Sequence, residues 1–109
     1  MVDFRAVADQ TELPPGRSLV VRLGDFAIAI FNTGADIVAL DGACLRCGCD
    51  LASGTVAACE VTCAGCGWRY DLVSGRNVRV PKLRIDRFEV KRAGSKILVA
   101  DHPAGMIGA

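Results

Sequence analysis

Six cysteines fall between Cys44 and Cys66, and none lies outside that 23-residue window. A disulfide scaffold staples distant segments of a small domain to one another. Sulfur confined to one short stretch points instead to a metal site. The spacing sharpens this. The sequence runs Cys44-Leu-Arg-Cys47-Gly48 and, after an interval, Cys63-Ala-Gly-Cys66-Gly67, so the motif C-x2-C-G occurs twice. Two thiolates separated by two residues face one ion when the chain turns between them. Glycine after the second cysteine relieves crowding in that turn and keeps backbone amides close to sulfur. Two such loops supply a tetrahedral S4 set, so Cys44, Cys47, Cys63 and Cys66 are the expected ligands, with Gly48 and Gly67 shaping their loops. A redox dithiol of the thioredoxin kind calls for a βαβ setting, which this chain lacks.

Cys49 and Cys59 are left over. Cys49 follows Cys47 too closely to make a good further bond to the same ion, and is expected to pack as a small hydrophobe under its loop. Cys59, within TVAACEV, reads as an ordinary buried strand residue. A disulfide between the two is conceivable, but nothing in the sequence supports it.

The rest of the chain supplies short strands. Leu19 to Arg22, Phe26 to Phe31 and Asp36 to Leu40 are extended runs separated by turns at Gly24-Asp25 and Asn32-Thr33-Gly34, the spacing of hairpins. Within Thr11 to Ser18, Pro14, Pro15 and Gly16 forbid a regular helix or central strand. After the cysteine window, Arg69 to Leu72 is extended and Ser74-Gly75 turns. Leu83 to Ile85 and Phe88 to Lys91 alternate weakly, and Lys96 to Ala100 forms a last strand. The tail from His102 onward is expected to fray. These elements predict an all-β fold: one small antiparallel barrel or sandwich over residues 1–109, with a metal-binding subdomain at about 41–80 inserted between its strands. A glycine-rich insert of that size holds its shape with the help of a bound ion, so metal binding is partly folding.

Charge excludes some partners. Thirteen basic and twelve acidic residues give a formal net charge of +1, and four thiolates around one divalent ion would bring this to −1. Neither value suits a dedicated nucleic-acid binder. No apolar run approaches the ~18 residues of a membrane span. The opening MVDFRAVADQ lacks a basic stretch followed by an apolar one, so the cytoplasm, where thiols stay reduced, is the expected compartment.

From about residue 4 to residue 100 the chain resembles the Rieske-type ferredoxins and the small subunits of assimilatory nitrite reductase. The resemblance rests on Ala39-Leu40, Cys44, Gly48-Cys49, Leu51, Gly54, Val61-Thr62-Cys63, Gly67-Trp68-Arg69-Tyr70-Asp71, Ser74-Gly75 and Pro81. It implies a Rieske-like fold and a role in electron transfer. The partners it implies are a flavin reductase and a terminal oxygenase or reductase. The family's loops read C-x-H and C-x2-H, with two cysteines on one iron and two histidines on the other. Cys44 and Cys63 match the cysteines. Arg46 and Cys66 stand at the histidine positions, and the chain's one histidine is His102. A conventional Rieske centre therefore cannot form.

Three occupants remain open: a [2Fe–2S] cluster on four thiolates, a single iron as in rubredoxin, or one structural zinc. Iron makes the protein an electron carrier, with Leu45 and Trp68 bordering an exposed centre and Arg46 offsetting thiolate charge toward an acidic partner. Zinc makes it a non-redox binding module. Catalysis by the chain alone is not expected, because four thiolates leave no open coordination position and no nucleophile–histidine–acid set is available.

Overall fold

The structure is a computed structural model and describes residues 3–103. Its regular structure consists almost wholly of antiparallel strands. These are β1 (Phe4–Asp9), β2 (Ser18–Leu23), β3 (Phe26–Asn32), β4 (Ile37–Asp41), β5 (Thr55–Ala57), β6 (Glu60–Thr62), β7 (Arg69–Asp71), β8 (Arg87–Phe88), β9 (Val90–Ala93) and β10 (Lys96–Ala100). They form three sheets in the orders β1-β10-β9, β2-β3-β4-β8 and β5-β6-β7. The only helical turns among the described residues are single 3-10 turns at Gln10–Glu12 and Leu51–Ser53. Among the described residues no helix is long and apolar enough to cross a membrane.

The run Phe26-Ala-Ile-Ala-Ile-Phe31 explains the architecture. Side chains of a strand alternate between the two faces of its sheet. Ile28 and Ile30 point to one side and Ala29 and Phe31 to the other, and all four are fully buried. The first face packs with Leu13, Ile37, Ala39, Phe88, Ile97 and Val99. The second packs with Leu40, Leu51, Val61, Tyr70, Leu72, Ile85 and two thiols, Cys44 and Cys63. A strand covered on both sides needs no polar alternation, which is why this one has none.

The strand before Pro14 escapes the sequence pattern. Phe4–Asp9 alternates charged and apolar residues weakly, yet it pairs along β10, with Phe4 opposite Ala100 and Asp9 opposite Lys96. Asp9 closes this edge: its carboxylate accepts the Thr11 amide at 3.1 Å, while its own amide donates to Glu12 Oε1 at 3.2 Å. The run Phe88 to Lys91 is split rather than continuous. Arg87 and Phe88 pair with β4, whereas Val90 onward pairs with β10. The chain thus changes sheets at Glu89, and the alternation weakens there because the covering surface changes. Leu83 to Ile85 forms no strand, only an isolated bridge between Arg84 and Arg76.

The expected fraying of the tail does not begin at His102. The Asp101 amide donates to the Asp3 carbonyl at 2.9 Å, Pro103 is buried, and the His102 ring meets Phe26 edge-on with centroids 6.4 Å apart. Residues 104–109 of that tail lie outside the described residues.

Candidate metal centre

The third sheet lies in the chain between β4 and β8, which are themselves neighbours. Two short loops carry the four predicted cysteines, and their backbones repeat the same closure. In the first, the Gly48 amide donates to the Cys44 carbonyl at 2.9 Å and the Cys44 amide to the Cys49 carbonyl at 3.0 Å. In the second, the Gly67 amide donates to Cys63 at 2.9 Å and the Cys63 amide to Trp68 at 2.7 Å. Gly48 and Gly67 have φ of 74° and 79°. That left-handed geometry is easy for glycine and costly for other residues, which accounts for the fifth letter of each motif.

The loops bring Sγ of Cys44, Cys47, Cys63 and Cys66 within 4.8 Å of one another. Two close pairs cross between the loops: Cys44 to Cys66 at 3.7 Å and Cys47 to Cys63 at 3.5 Å. Burial also repeats. The first cysteine of each loop is buried, Cys44 at 3% exposure and Cys63 at 1%. The second is not: Cys47 is exposed and Cys66 half-buried. The cluster therefore has an inner pair rooted in the core and an outer pair at the surface. Four converging thiols on two closed loops form a donor set able to hold a metal ion.

Tyr70, on β7, ties the two loops together. Its ring is fully buried beneath them. Its hydroxyl accepts the Leu45 amide at 3.1 Å and lies 3.4 Å from Cys44 Sγ. Burial raises the Cys44 thiol, but the Tyr70 hydroxyl and the Cys47 and Arg46 amides, all hydrogen-bonded to the sulfur, outweigh it and bring the thiol down to about 6. Cys66 has the Trp68 amide in its favour, yet burial and the three neighbouring sulfurs push it up to about 12. Burial, followed by the hydrogen bond to Cys44, raises the Tyr70 phenol above its usual range, so the hydroxyl keeps its proton and donates it toward sulfur. The sequence signal for this residue was its place in Gly67-Trp68-Arg69-Tyr70-Asp71, but nothing there says where the hydroxyl points. Asn77, also missed, is a buried polar residue whose side-chain oxygen accepts the Arg79 and Val80 amides, each at 2.9 Å. It pairs with Tyr70 across an isolated bridge and so braces that strand from behind.

The remaining candidates surround the outer pair. Leu45 is 51% exposed. Arg46 is exposed and its guanidinium lies 5.4 Å from the centre of the Trp68 ring. Trp68 is half-buried and its ring tilts against Tyr70 at 6.5 Å. Arg46 and Trp68, with Arg69 and Arg79, line an open hollow beside Cys66.

Two expectations are corrected. Cys49 is exposed rather than packed under its loop, and it sits so close to Gly65 that a Cβ there would collide with its sulfur. Cys59 is no strand residue. It forms with Ala58 the two-residue turn between β5 and β6, at φ of 61° and 53°. Both φ values are positive, as in the tight hairpin turns that match strand twist. The sequence lacks the Asn-Gly signal that marks such turns, so the turn was not readable. Neither cysteine forms a disulfide.

Comparison with known proteins agrees with this architecture. The family model described as "Rieske [2Fe-2S] domain" matches residues 3–91. The chain is similar to a chain in the complex of reduced oxygenase and oxidized ferredoxin in carbazole 1,9a-dioxygenase, with 22% identity, a TM-score of 0.84, and coverage of 92% of this chain and 94% of that one. It is similar to the ferredoxin of carbazole 1,9a-dioxygenase from Nocardioides aromaticivorans IC177, at 23% identity and TM-score 0.81, covering 88% and 95%. A structure described as an NADH-dependent nitrite reductase small subunit from Mycobacterium tuberculosis gives 18% identity, TM-score 0.83 and coverage of 92% and 96%. At these identities the shared property is the fold. No curated protein matches the chain.

The centre of a Rieske domain needs two imidazoles on one of its irons. This donor set does not provide them. Cys66 occupies one position and Arg46 the other, and a guanidinium has no lone pair to offer. His102 is held by Asp101 at 2.8 Å and is no part of the cysteine cluster. The mixed cluster does not fit these residues, whereas an all-thiolate centre does.

Proposed function

The chain belongs to the Rieske [2Fe-2S] domain family, and on that premise we propose that it is a small ferredoxin-like electron-transfer protein whose iron is held by Cys44, Cys47, Cys63 and Cys66. One observation carries the reading. In a fold shared with ferredoxins, four sulfurs converge where two of them reach the surface. Iron bound there supplies a one-electron couple. The chain's own residues do the rest. Cys44 and Cys63 anchor the centre in the core. Tyr70 and the amides of Arg46, Cys47 and Trp68 direct hydrogen bonds at sulfur, which stabilises the more negative, reduced state. Leu45 offers an apolar contact and Arg46 a positive charge to an acidic partner.

A terminal oxygenase is the partner this reading favours, because an oxygenase–ferredoxin complex is among the similar structures. A terminal reductase is the other possible acceptor, in keeping with the likeness to a nitrite reductase small subunit. A flavin reductase is the expected electron donor. The same reading takes residues 1–109 as one cytoplasmic domain of barrel or sandwich form. Its rubredoxin-like metal-binding part, about 41–80, is inserted between β4 and β8.

A second reading has an observation of its own. An S4 shell is closed, leaving no open position, and suits a structural zinc equally well. The domain is then a non-redox binding module. Absorbance and EPR of anaerobically purified protein decide between them. Iron gives a red or brown protein that bleaches with dithionite; a colourless protein with one zinc per chain ends the electron-transfer reading.

A further inference from the structure

We infer that the four cysteines hold a single tetrahedral ion and that the two-iron cluster of the family is not built in this chain. The inference rests on the preceding reading only in taking Cys44, Cys47, Cys63 and Cys66 as the ligands.

Sulfur geometry is the first argument. An ion with metal–sulfur bonds of ~2.3 Å in a tetrahedron sets its sulfurs about 3.8 Å apart. Cys44 and Cys66 stand at 3.7 Å, Cys47 and Cys63 at 3.5 Å, and no pair exceeds 4.8 Å. A two-iron cluster interposes a second iron and two bridging sulfides. Thiolates on different irons are then driven farther apart than the edge of one tetrahedron.

The assignment of ligands to irons is the second argument. In the family's arrangement the first ligand of each loop shares one iron and the second ligand of each loop shares the other. Mapped onto this chain, Cys44 would pair with Cys63 and Cys47 with Cys66. Two pairs that this mapping assigns to different irons, Cys44 with Cys66 and Cys47 with Cys63, stand at 3.7 and 3.5 Å. Each brings together sulfurs that a two-iron cluster would hold apart.

Loop chemistry agrees. Both loops have the same glycine-turned closure, with hydrogen bonds at matching positions. They present two equivalent dithiolate chelates, the arrangement that suits one ion held symmetrically. The family's loops differ from this in the ligand that changed: C-x-H has become C-x2-C, so the second donor of the first loop has moved one residue along, to Cys47.

The test is stoichiometry on the full chain, produced with iron and cluster-assembly proteins in excess so that a cluster has every opportunity to form. Metal content, acid-labile sulfide and native mass are measured on the same sample. One iron or one zinc per chain, no labile sulfide, and a mass increase of one ion are expected. Two irons with two labile sulfides per chain overturn the inference, as does a chain that binds no metal. The outcomes also separate this inference from the preceding reading. One zinc upholds the single-ion site and ends electron transfer. Two irons with sulfide end the single-ion site and leave electron transfer standing.

Discussion

The two faces of the β2-β3-β4-β8 sheet are covered by different means. On one, Ile28 and Ile30 meet Ile97, Val99 and Phe88, which come from strands already committed to sheet pairing. On the other, Ala29 and Phe31 meet Tyr70, Val61 and Leu72 together with the thiols of Cys44 and Cys63. The first face is closed by apolar burial and long ladders. The second is closed by three short strands of three residues each and by two loops that converge on sulfur. The comparison sets a half held by apolar burial and long ladders against one in which burial is joined by two loops converging on thiols able to hold a metal ion.

Removing the metal should break the symmetry most strongly. Structural ions in small thiolate sites contribute on the order of 10 kcal/mol to folding. After chelation, amide hydrogen exchange should accelerate across residues 44–72, while β3 and β10 amides remain protected. Uniform loss of protection throughout the chain would refute the division into two halves.

Neighbouring residues on β3 offer a finer cut. Phe31→Ala should cost ~3–5 kcal/mol and Ile30→Ala ~2–5 kcal/mol, as cavities in packed cores do. Only Phe31 faces the cysteine side. Metal affinity should fall in the Phe31 variant and hold in the Ile30 variant; equal affinities in the two would show that the faces are not separable.

Tyr70→Phe is a smaller change made inside the second face. It deletes the hydroxyl that lies between Leu45 and Cys44. Hydrogen bonds to sulfur stabilise the reduced form, so an iron centre should show a lower potential. A loss of ~1 kcal/mol in that stabilisation corresponds to about 40 mV for one electron. An unchanged potential in voltammetry would mean that the hydroxyl serves the Leu45 amide alone.

The smallest effect belongs to the first face. The Thr11 amide, then Ser95, the Thr11 hydroxyl and Lys96, hold the Asp9 carboxyl below its ordinary value of 3.8, with burial opposing. Because the folded value lies below the unfolded one, this contribution is present in full above pH 3.8 and is lost as pH falls through the depressed value. Asp9→Asn should flatten the acid limb of a stability–pH profile slightly. Above pH 5 the profile should lie slightly lower with its slope unchanged, and the metal content should hold.

What the sequence revealed divides along the same line. Phe26 to Phe31 and Lys96 to Ala100 were readable because continuous apolar runs bounded by turns have few alternatives. The four cysteines were readable because chelation imposes a local spacing. By contrast, β1 acquires its identity from β10, more than 80 residues away, and its own residues carry little pattern. The break at Glu89 follows from two different partners, not from any feature of that residue. Tyr70 illustrates the limit for the site. Its position in the motif marked it as part of the family pattern, but its hydrogen bond to Cys44 depends on how one loop folds over the strand of the other. The leftover cysteines failed for a related reason, since a turn at Ala58-Cys59 is set by the hairpin it closes.

The alternation of buried and exposed sulfurs has a kinetic consequence. A competing thiol or chelator arriving from solvent meets Cys47 and Cys66 first, whereas Cys44 and Cys63 stay beneath the loops. Exchange of an ion bound there would therefore proceed from one side, with one sulfur from each loop replaced before the inner pair let go. Loading would follow the same order in reverse, an ion from a donor thiolate being received at the rim and drawn inward. The rim is the part of the site that opens to solvent, beside the exposed Leu45 and Arg46.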